Sequence, residues 1–166
     1  MNVTLLAATS LQDFSEIAAL AQKVWHATYD PLIGANQVNY MLEKFQSSSA
    51  IQTDVETNNY RYLMAKDGDT LLGYCGVKPE DTTSVFLSKV YVDPAFQGKG
   101  IAKKMVLHFV NEFRSLGYQR MHLTVNKGNK NAIGAYLKLG FVKSGELVTD
   151  IGCGYVMDDD TMELKL

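Results

Sequence analysis

Two glycines and three lysines lie in the stretch DPAFQGKGIAKK, residues 93–104. The stretch follows a run of alternating apolar residues and precedes a long amphipathic pattern, so it joins a predicted strand to a predicted helix. A glycine-rich turn at such a junction exposes backbone N–H groups at the positive end of the helix dipole. That arrangement suits a phosphate or pyrophosphate, and the lysines could neutralise its charge. We therefore predict an anion-binding loop at this position.

Two common nucleotide-binding motifs do not fit this loop. A P-loop requires G-x-x-x-x-G-K-[ST], and the chain contains no such string. A dinucleotide-binding fingerprint requires a small residue where Lys103 stands and an acidic residue about 20 positions later. Glu112 is the only acidic residue between Pro94 and Gly145. Both nucleotide interpretations therefore fail.

The periodicity of apolar residues predicts the elements that would hold this loop. A weak strand over Val3–Thr9 precedes a helix that Ser10 caps and Pro31 ends. The order that follows is one or two further helices, three strands, the helix after the glycines, a strand, a helix and two strands. Asp67-Gly68 is the turn signal of the first hairpin, and Gly117 and Gly140 are predicted ends of the two later helices. This order predicts an α/β domain with a mixed central sheet of about seven strands flanked by helices.

Length and composition favour one domain over residues 1–166. The chain is 46% hydrophobic, which is enough for a sizeable core. It contains no run of about 18 apolar residues, and the first residues lack the pattern of a secretory signal. We therefore expect a cytoplasmic protein that does not enter a membrane. Cys75 and Cys153 show neither a CxxC pair nor zinc-ligand spacing, so we expect two buried free thiols and no metal site.

The charged residues are segregated along the chain. The net charge is only −2, yet residues 94–145 hold nine Lys/Arg and one acidic residue, and the remainder carries −10. This asymmetry favours one region for an anionic ligand and another that could attract a cation, although solvated surfaces could also produce it. The basic region lacks an arginine-rich or aromatic-interleaved pattern, so we do not expect nucleic-acid binding.

The loop sequence and its neighbours resemble the GNAT superfamily of N-acetyltransferases. Residues Gln97 to Ala102 match the pattern Q/R-x-x-G-x-G/A of that family's pyrophosphate loop. The segments VYVDPAFQGKGIAKKMV and LTVNKGNKNAIGAYLKLGF match its fourth strand, third helix, later strand and Y-x-x-x-G-F helix in order and spacing. The resemblance covers roughly Tyr60–Val148. It implies the GNAT fold, acetyl-CoA as cosubstrate, and direct transfer of an acetyl group to a primary amine.

The resemblance also implies which residues bind the coenzyme. Backbone amides from Gln97 to Ala102 would hold the pyrophosphate, and Lys99, Lys103, Lys104 or Lys130 would neutralise it. The backbone of the preceding strand would pair with the pantetheine arm, and an amide near Val90 would polarise the thioester carbonyl. Asn126 and Asn131 would contact the coenzyme or fix the turn, unless they serve only as strand end and helix cap. The predicted coenzyme site is Val90, Tyr91, Val92, Gln97, Gly98, Lys99, Gly100, Ile101, Ala102, Lys103, Asn126 and Asn131.

By the same resemblance, Tyr136 is the catalytic acid that protonates the departing coenzyme A thiolate. A phenol with a pKa of about 10 is reasonably matched to a thiol with a pKa of about 8.5. The alternative is a core tyrosine on an amphipathic helix.

The general base is not assigned by the sequence. A primary ammonium has a pKa of about 10.4, so its deprotonation at neutral pH needs assistance. Many family members place a glutamate on the fourth strand, but here Ser88 and Lys89 occupy the corresponding positions. Glu80, Asp81, Asp150 or a chain of waters are the candidate substitutes.

The front helices and the tail indicate an acceptor. Trp25 and Tyr29 in VWHATYDPLIG, with the tail GYVMDDDTMEL, resemble the bacterial branch that includes spermidine and spermine acetyltransferases. We therefore expect a small cationic amine, such as a polyamine, with Trp25, Tyr29 and Asp150 at its site. Asp30 and the run 158–160 could attract the ammonium group or could be solvated charges. The alternatives are a protein or peptide amine as acceptor, or a catalytically weak coenzyme A sensor. The terminal strands could pair in a homodimer.

Overall fold

The computed structural model describes all residues 1–166 and contains seven strands and five helices. The predicted α/β class with a seven-stranded mixed sheet is confirmed. The elements in chain order are β1 (Thr4–Ala7), α1 (Leu11–Ile33), α2 (Ala35–Phe45), α3 (Ser48–Thr57), β2 (Arg61–Asp67), β3 (Thr70–Pro79), β4 (Ser84–Val92), a 3₁₀ turn (Pro94–Phe96), α4 (Ile101–Ser115), β5 (Arg120–Asn126), α5 (Lys130–Leu139), β6 (Val142–Gly152) and β7 (Tyr155–Lys165).

The strands form one sheet in the order β1-β2-β3-β4-β5-β7-β6. Every neighbouring pair is antiparallel except β4 and β5, which run parallel because α4 connects them. The last strand, β7, inserts between β5 and β6.

The parallel pair at the centre of the sheet is short. Ser84, Val85 and Phe86 of β4 face Arg120, Met121 and His122 of β5, and no pairing continues beyond them. β4 nevertheless runs six residues further, paired only with β3, while β5 continues along β7. The two strands therefore separate toward their carboxyl ends and open a gap in the middle of the sheet.

Each face of the sheet carries its own core. On one face α4 buries Met105, Val106, Phe109 and Phe113 against Val85, Leu87, Met121 and Leu123 of the central strands. On the other face α1, α2 and α3 pack on Tyr62, Met64 and Tyr74. The helical spacing of the apolar residues in α1, α2, α3 and α4 thus places one apolar layer on each face of the sheet.

Helix α1 begins as predicted but ends later. Ser10 and Asp13 form a capping box, in which the Asp13 amide donates to Ser10 Oγ at 3.1 Å and the Ser10 amide donates to Asp13 Oδ2 at 3.1 Å. The predicted end at Pro31 is wrong, because the helix continues to Ile33 and stops at Gly34, whose φ is 84°. Pro31 lies in the last turn, where it removes a single intrahelical hydrogen bond and does not break the helix.

The prediction of two buried thiols is correct for one cysteine only. Cys75 lies in β3 and is buried, whereas Cys153 is exposed. Cys153 has a φ of 53° and stands between two glycines in the turn that joins β6 to β7. Ile151 and Tyr155 on either side of the turn pack against the core of the front face, but the Cys153 side chain itself stays in solvent. None of the helices combines the length and the apolar character that a bilayer crossing requires.

Candidate active site

The loop between β4 and α4 is held at both of its ends. Asp93 follows β4, and its Oδ1 accepts a hydrogen bond from the Ala95 amide at 2.9 Å. Lys23 of α1 reaches both carboxylate oxygens of Asp93 at 2.9 and 3.0 Å. Burial opposes the ionised form, but these hydrogen bonds outweigh it and lower the pKa of Asp93. Further along the loop, the side-chain Nε2 of Gln97 donates to the Val92 carbonyl at 3.2 Å, so the loop stays close to the strand end.

The glycines of the loop are required for backbone conformation. Gly98 and Gly100 both have a φ of 78°, in the left-handed region that other residues rarely adopt. A Cβ at either position would meet no atom within 4 Å, so space is not the constraint. Gly100 is also the N-cap of α4, and no side chain caps that helix. The first N–H groups of α4 are therefore available to a ligand.

A cavity of about 790 Å³ opens beside this loop. It is bounded by the end of β4, the loop, the start of α4, the β5–α5 turn and the last turns of α1. Every residue of the predicted coenzyme site lines it except Lys99 and Asn126: these are Val90, Tyr91, Val92, Gln97, Gly98, Gly100, Ile101, Ala102, Lys103 and Asn131. We call it the coenzyme cavity.

Two of the four predicted phosphate-binding lysines line the coenzyme cavity. Lys103 and Lys130 lie on its wall. Lys99 does not line the cavity, and Lys104 donates to the Val3 carbonyl at 3.1 Å, on the β1 side of α4. The cavity thus has cationic groups at the start of α4 and at the start of α5.

The β5–α5 turn contributes residues that the sequence analysis missed. Asn126 accepts a hydrogen bond from the Gly128 amide at 2.8 Å, which fixes the turn, while Asn129 caps α5 by accepting from the Ala132 amide at 3.3 Å. A Cβ at Gly128 would lie 2.9 Å from a methyl group of Leu32 in α1. Leu32, Gly128 and Asn129 all line the coenzyme cavity. The close approach of Leu32 to Gly128 is tertiary, and no spacing in the sequence signals it.

A second cavity, of about 520 Å³, lies between helices α1, α2 and α3, which we call the front helices, and the gap in the sheet. Its lining includes the aromatic residues Trp25, Phe45, Tyr60, Phe86 and Tyr91. Tyr91 also lines the coenzyme cavity, so the two cavities adjoin at this residue. We call this second space the acceptor cavity.

Trp25 and Tyr29 are placed by packing and hydrogen bonds. The ring centroids of Trp25 and Tyr91 are 5.3 Å apart, and the Tyr29 and Tyr91 hydroxyls are 3.0 Å apart. The Trp25 indole donates to the Tyr74 hydroxyl at 3.3 Å, and that hydroxyl donates to Gln46 at 2.8 Å. Trp25 lines the acceptor cavity, whereas Tyr29 does not line it and contacts Tyr91, which does. This fixed network predicts a wall that is already ordered before a ligand binds.

Acids and lysines share the acceptor cavity. Lys89 is buried, and its ammonium group lies 2.6 Å from the Tyr62 hydroxyl and 3.2 Å from an Asp54 carboxylate oxygen. Burial lowers the pKa of Lys89, although Asp54 opposes that shift. Lys78 lies 5.7 Å from the centre of the Tyr60 ring. Together with Asp54 and Asp159, the cavity therefore contains two acidic and two basic side chains.

Tyr136 of α5 lines neither the coenzyme cavity nor the acceptor cavity. It lines an apolar side cavity of about 280 Å³ that shares Val90, Ala102 and Lys103 with the coenzyme cavity. Its ring packs against Phe141 with centroids 5.6 Å apart. Burial is the main cause that raises the pKa of Tyr136, with smaller contributions from Cys75 and Tyr29. The hydroxyl therefore keeps its proton across the physiological pH range.

The carboxylates suggested as substitutes for the missing base lie elsewhere. Glu80 pairs with His122, and Asp81 accepts hydrogen bonds from the Thr83 and Ser84 amides at 2.6 and 2.7 Å. Asp150, which was also expected at the acceptor site, is exposed and accepts from the Gly152 amide at 2.8 Å. None of the three lines either cavity.

Comparison with known proteins identifies the family. Residues 22–141 match the model of the "Acetyltransferase (GNAT) family". An uncharacterized N-acetyltransferase of Mycobacterium bovis is 24% identical over 89% of this chain and 95% of its own. The PaiA N-acetyltransferase of Thermoplasma acidophilum, solved with coenzyme A, has a TM-score of 0.81 at 20% identity over the full length of both chains. A spermidine N-acetyltransferase chimera from Vibrio cholerae and hSSAT has a TM-score of 0.69 at 20% identity, over 99% of this chain and 96% of its own. The chain belongs to the acetyltransferase (GNAT) family.

Proposed function

We propose that the protein transfers an acetyl group directly from acetyl-CoA to a primary amine bound in the acceptor cavity. The observation that carries this proposal is the meeting of the two cavities at Tyr91, where β4 and β5 separate. A thioester that enters from the coenzyme cavity and an amine that enters from the other side would meet there. Holding both reactants in one geometry supplies a large share of the rate enhancement in reactions of this kind.

The chain's own groups fit acetyl-CoA, which supplies the thioester. The free N–H groups around Gly98 and Gly100, with Lys103 and Lys130, suit a pyrophosphate. The segment Val90–Val92 has β3 on one side and no strand on the other. An extended pantetheine arm would use that open side as a strand does.

Tyr136 is proposed as the acid that protonates the departing sulfur. Its pKa is raised by burial, so the proton is present when it is needed. Burial disfavours a thiolate as well as a phenolate, so a coenzyme sulfur that enters the apolar side cavity would gain from a nearby proton donor.

A polyamine is the acceptor expected from the sequence, and two observations support it. The cavity has aromatic walls and two carboxylates, which suit an ammonium group, and the fold resembles the spermidine acetyltransferase chimera. Lys78 and Lys89 oppose it, because they balance Asp54 and Asp159 and leave no net negative charge for several ammonium groups. That balance favours a second candidate with a single ammonium, such as a peptide N-terminus.

The first prediction separates these acceptors. We expect coenzyme A release from acetyl-CoA with at least one amine in a panel of spermidine, spermine, amino acids and short peptides, measured by thiol detection. Lys78→Ala removes one positive charge at the cavity wall, so turnover at a limiting spermidine concentration should rise relative to a single-charge peptide. Lys165→Ala, on an exposed lysine that lines none of these cavities, is the control. An absence of turnover across the whole panel would contradict the proposed function.

A further inference from the structure

We propose that Asp159 of β7 is the general base that takes the proton from the acceptor ammonium, an inference that rests on the proposed function. β7 lies beside β5, and Asp159 pairs with Asn126 at the end where β5 has separated from β4. Side chains alternate along a strand, so Asp159 faces opposite to Asp158 and Asp160. It lines the acceptor cavity together with Met157.

Asp159 differs from its two neighbours in having no ion-pair partner in the protein. Asp158 lies 3.0 Å from Lys127, and Asp160 lies 3.3 Å from Lys143. No lysine, arginine or histidine lies within 4 Å of the Asp159 carboxylate, and no protein group donates a hydrogen bond to it, although the residue is only 5% exposed. A buried carboxylate without a cation is costly and is characteristic of a functional site.

The groups around Asp159 shift its affinity for protons upward. Burial is the main cause, the charges of Asp158 and Asp160 add to it, and Lys127 opposes it, so the pKa of Asp159 rises to about 6. The negative charge of Asp159 also raises the pKa of Tyr29 in α1. From β6, Glu146 approaches Lys127 at 3.5 Å and weakens the effect of that lysine. A carboxyl group with this pKa is mostly ionised at pH 7, and it accepts a proton more readily than an ordinary aspartate.

The position of Asp159 is complementary to that of the proposed acid. Asp159 lines the acceptor cavity, and Tyr91 lines both that cavity and the coenzyme cavity. The Tyr29 and Tyr91 hydroxyls lie 3.0 Å apart. Lys89 is unsuited to the same role because Asp54 and Tyr62 already engage its ammonium group.

The proton and bond changes balance as follows. Asp159 accepts one proton from the bound R–NH₃⁺ and leaves a neutral amine. The nitrogen lone pair forms a bond to the acetyl carbon, the carbon–sulfur bond breaks, and the sulfur takes the proton of the Tyr136 hydroxyl. The second proton of the nitrogen restores Tyr136, and Asp159 releases its proton to solvent. The sum is R–NH₃⁺ and acetyl-CoA giving the acetamide, coenzyme A and one proton.

The test compares variants of the full chain with acetyl-CoA and the amine found in the panel. Asp159→Asn should lower kcat by about 10²- to 10⁴-fold and abolish the rise of kcat/KM with pH that is centred near pH 6 in the wild type. Asp159→Glu should restore part of the rate. Asp158→Asn keeps the Asp159 carboxylate and removes a negative charge beside it. This variant should keep turnover, and its rise of kcat/KM should move to lower pH.

The outcomes distinguish the base from the reaction itself. Calorimetric titration of each variant with acetyl-CoA shows whether the chain has folded around its coenzyme cavity. A folded Asp159→Asn variant with the wild-type rate and pH profile would overturn the role of Asp159 and leave the acetyl transfer intact. A wild-type protein without turnover on any amine would overturn both proposals together.

Discussion

Burial determines the protonation state of the two proposed catalytic groups. It raises the pKa of Asp159 into the range where an aspartate works as a base, and it keeps the Tyr136 phenol protonated. Asp159 gains this property from the space between the front helices and β7, and Tyr136 gains it from the cover of α5 on β4. The same physical cause thus prepares one group to accept a proton and the other to donate one.

Removal of the Tyr136 hydroxyl tests its role as the acid. Tyr136→Phe keeps the ring packed on Phe141, so we expect the fold and the affinity for acetyl-CoA to be retained while kcat falls by about 10²-fold or more. Steady-state kinetics and calorimetric titration measure the two quantities. Tyr118→Phe, on a tyrosine that packs against Phe113 far from the loop, is the matched control. A Tyr136→Phe variant with unchanged kcat would assign the tyrosine to packing alone.

The raised pKa of Asp159 also predicts a cost in stability. In the folded chain the group binds protons more tightly than in the unfolded chain, so its contribution to the free energy of unfolding decreases as pH rises from about 4 to about 6. Asp159→Asn removes this penalty and should raise the free energy of unfolding by about 1 to 2 kcal/mol at pH 7.5. The difference between wild type and variant should vanish near pH 3.5, where Asp159 is mostly protonated in the folded and in the unfolded chain.

Denaturant titrations at the two pH values measure this effect. Asp150→Asn, on an exposed carboxylate near the end of β6, is the control for a change of net charge. Equal stability of wild type and Asp159→Asn at pH 7.5 would show that the carboxylate is solvated in the folded state.

At the residue scale the sequence indicated the proposed acid and missed the proposed base. Tyr136 begins the Y-x-x-x-G-F pattern of its helix, whereas Asp159 is the middle one of three consecutive aspartates and belongs to no such pattern. Strand alternation separates Asp159 from its neighbours, but nothing in the sequence shows which face of β7 is covered. That depends on how α1 packs across the gap between β4 and β5, which is a tertiary property.

At the scale of elements, the loop after β4 combines a rigid attachment with free amides. Asp93 and Gln97 hold it to α1 and β4 through side chains, while Gly98 and Gly100 turn the backbone. The coenzyme cavity is therefore formed before a ligand arrives, which reduces the entropy lost on binding.

Substitution of a loop glycine tests this arrangement. Gly98→Ala places a side chain at a φ of 78°, which costs about 1 to 2 kcal/mol, so the loop should leave its conformation and acetyl-CoA affinity should fall about tenfold. Gly117→Ala, at a φ of 87° beyond the far end of α4, should lose similar stability and keep the affinity. Calorimetric titration measures the affinity, and thermal unfolding measures the stability. Equal affinities for the two variants would mean that the loop conformation does not determine coenzyme binding.

The sequence predicted the elements better than their ends. The hairpin turn at Asp67-Gly68 and the glycine after α4 follow from local backbone preferences, and both occur where expected. Pro31 misled the prediction because its penalty is small in a last turn, and Cys153 did so because an apolar residue type is no guarantee of burial in a turn. Local backbone preferences specified these elements, but long-range packing determined where they end and which of their side chains are buried.

At the scale of the whole molecule, the site is assembled from parts distant in the chain. The front helices supply Trp25 and Lys23, the centre supplies β4 and its loop, and the last strand supplies Asp159. Segregation of charge along the sequence partly reflects this plan, because the basic stretch contains the coenzyme cavity. The acidic residues outside the basic stretch do not form one cation-binding site, because lysines balance the two aspartates that line the acceptor cavity.

The gap between β4 and β5 has a consequence for the end of the reaction cycle. If the pantetheine arm pairs with the open side of β4, free coenzyme A makes the same pairing as acetyl-CoA, because the arm is identical in both. The product must therefore detach from the sheet before the next cycle begins. Product release, with inhibition by accumulated coenzyme A, would then set the ceiling on turnover for a good acceptor.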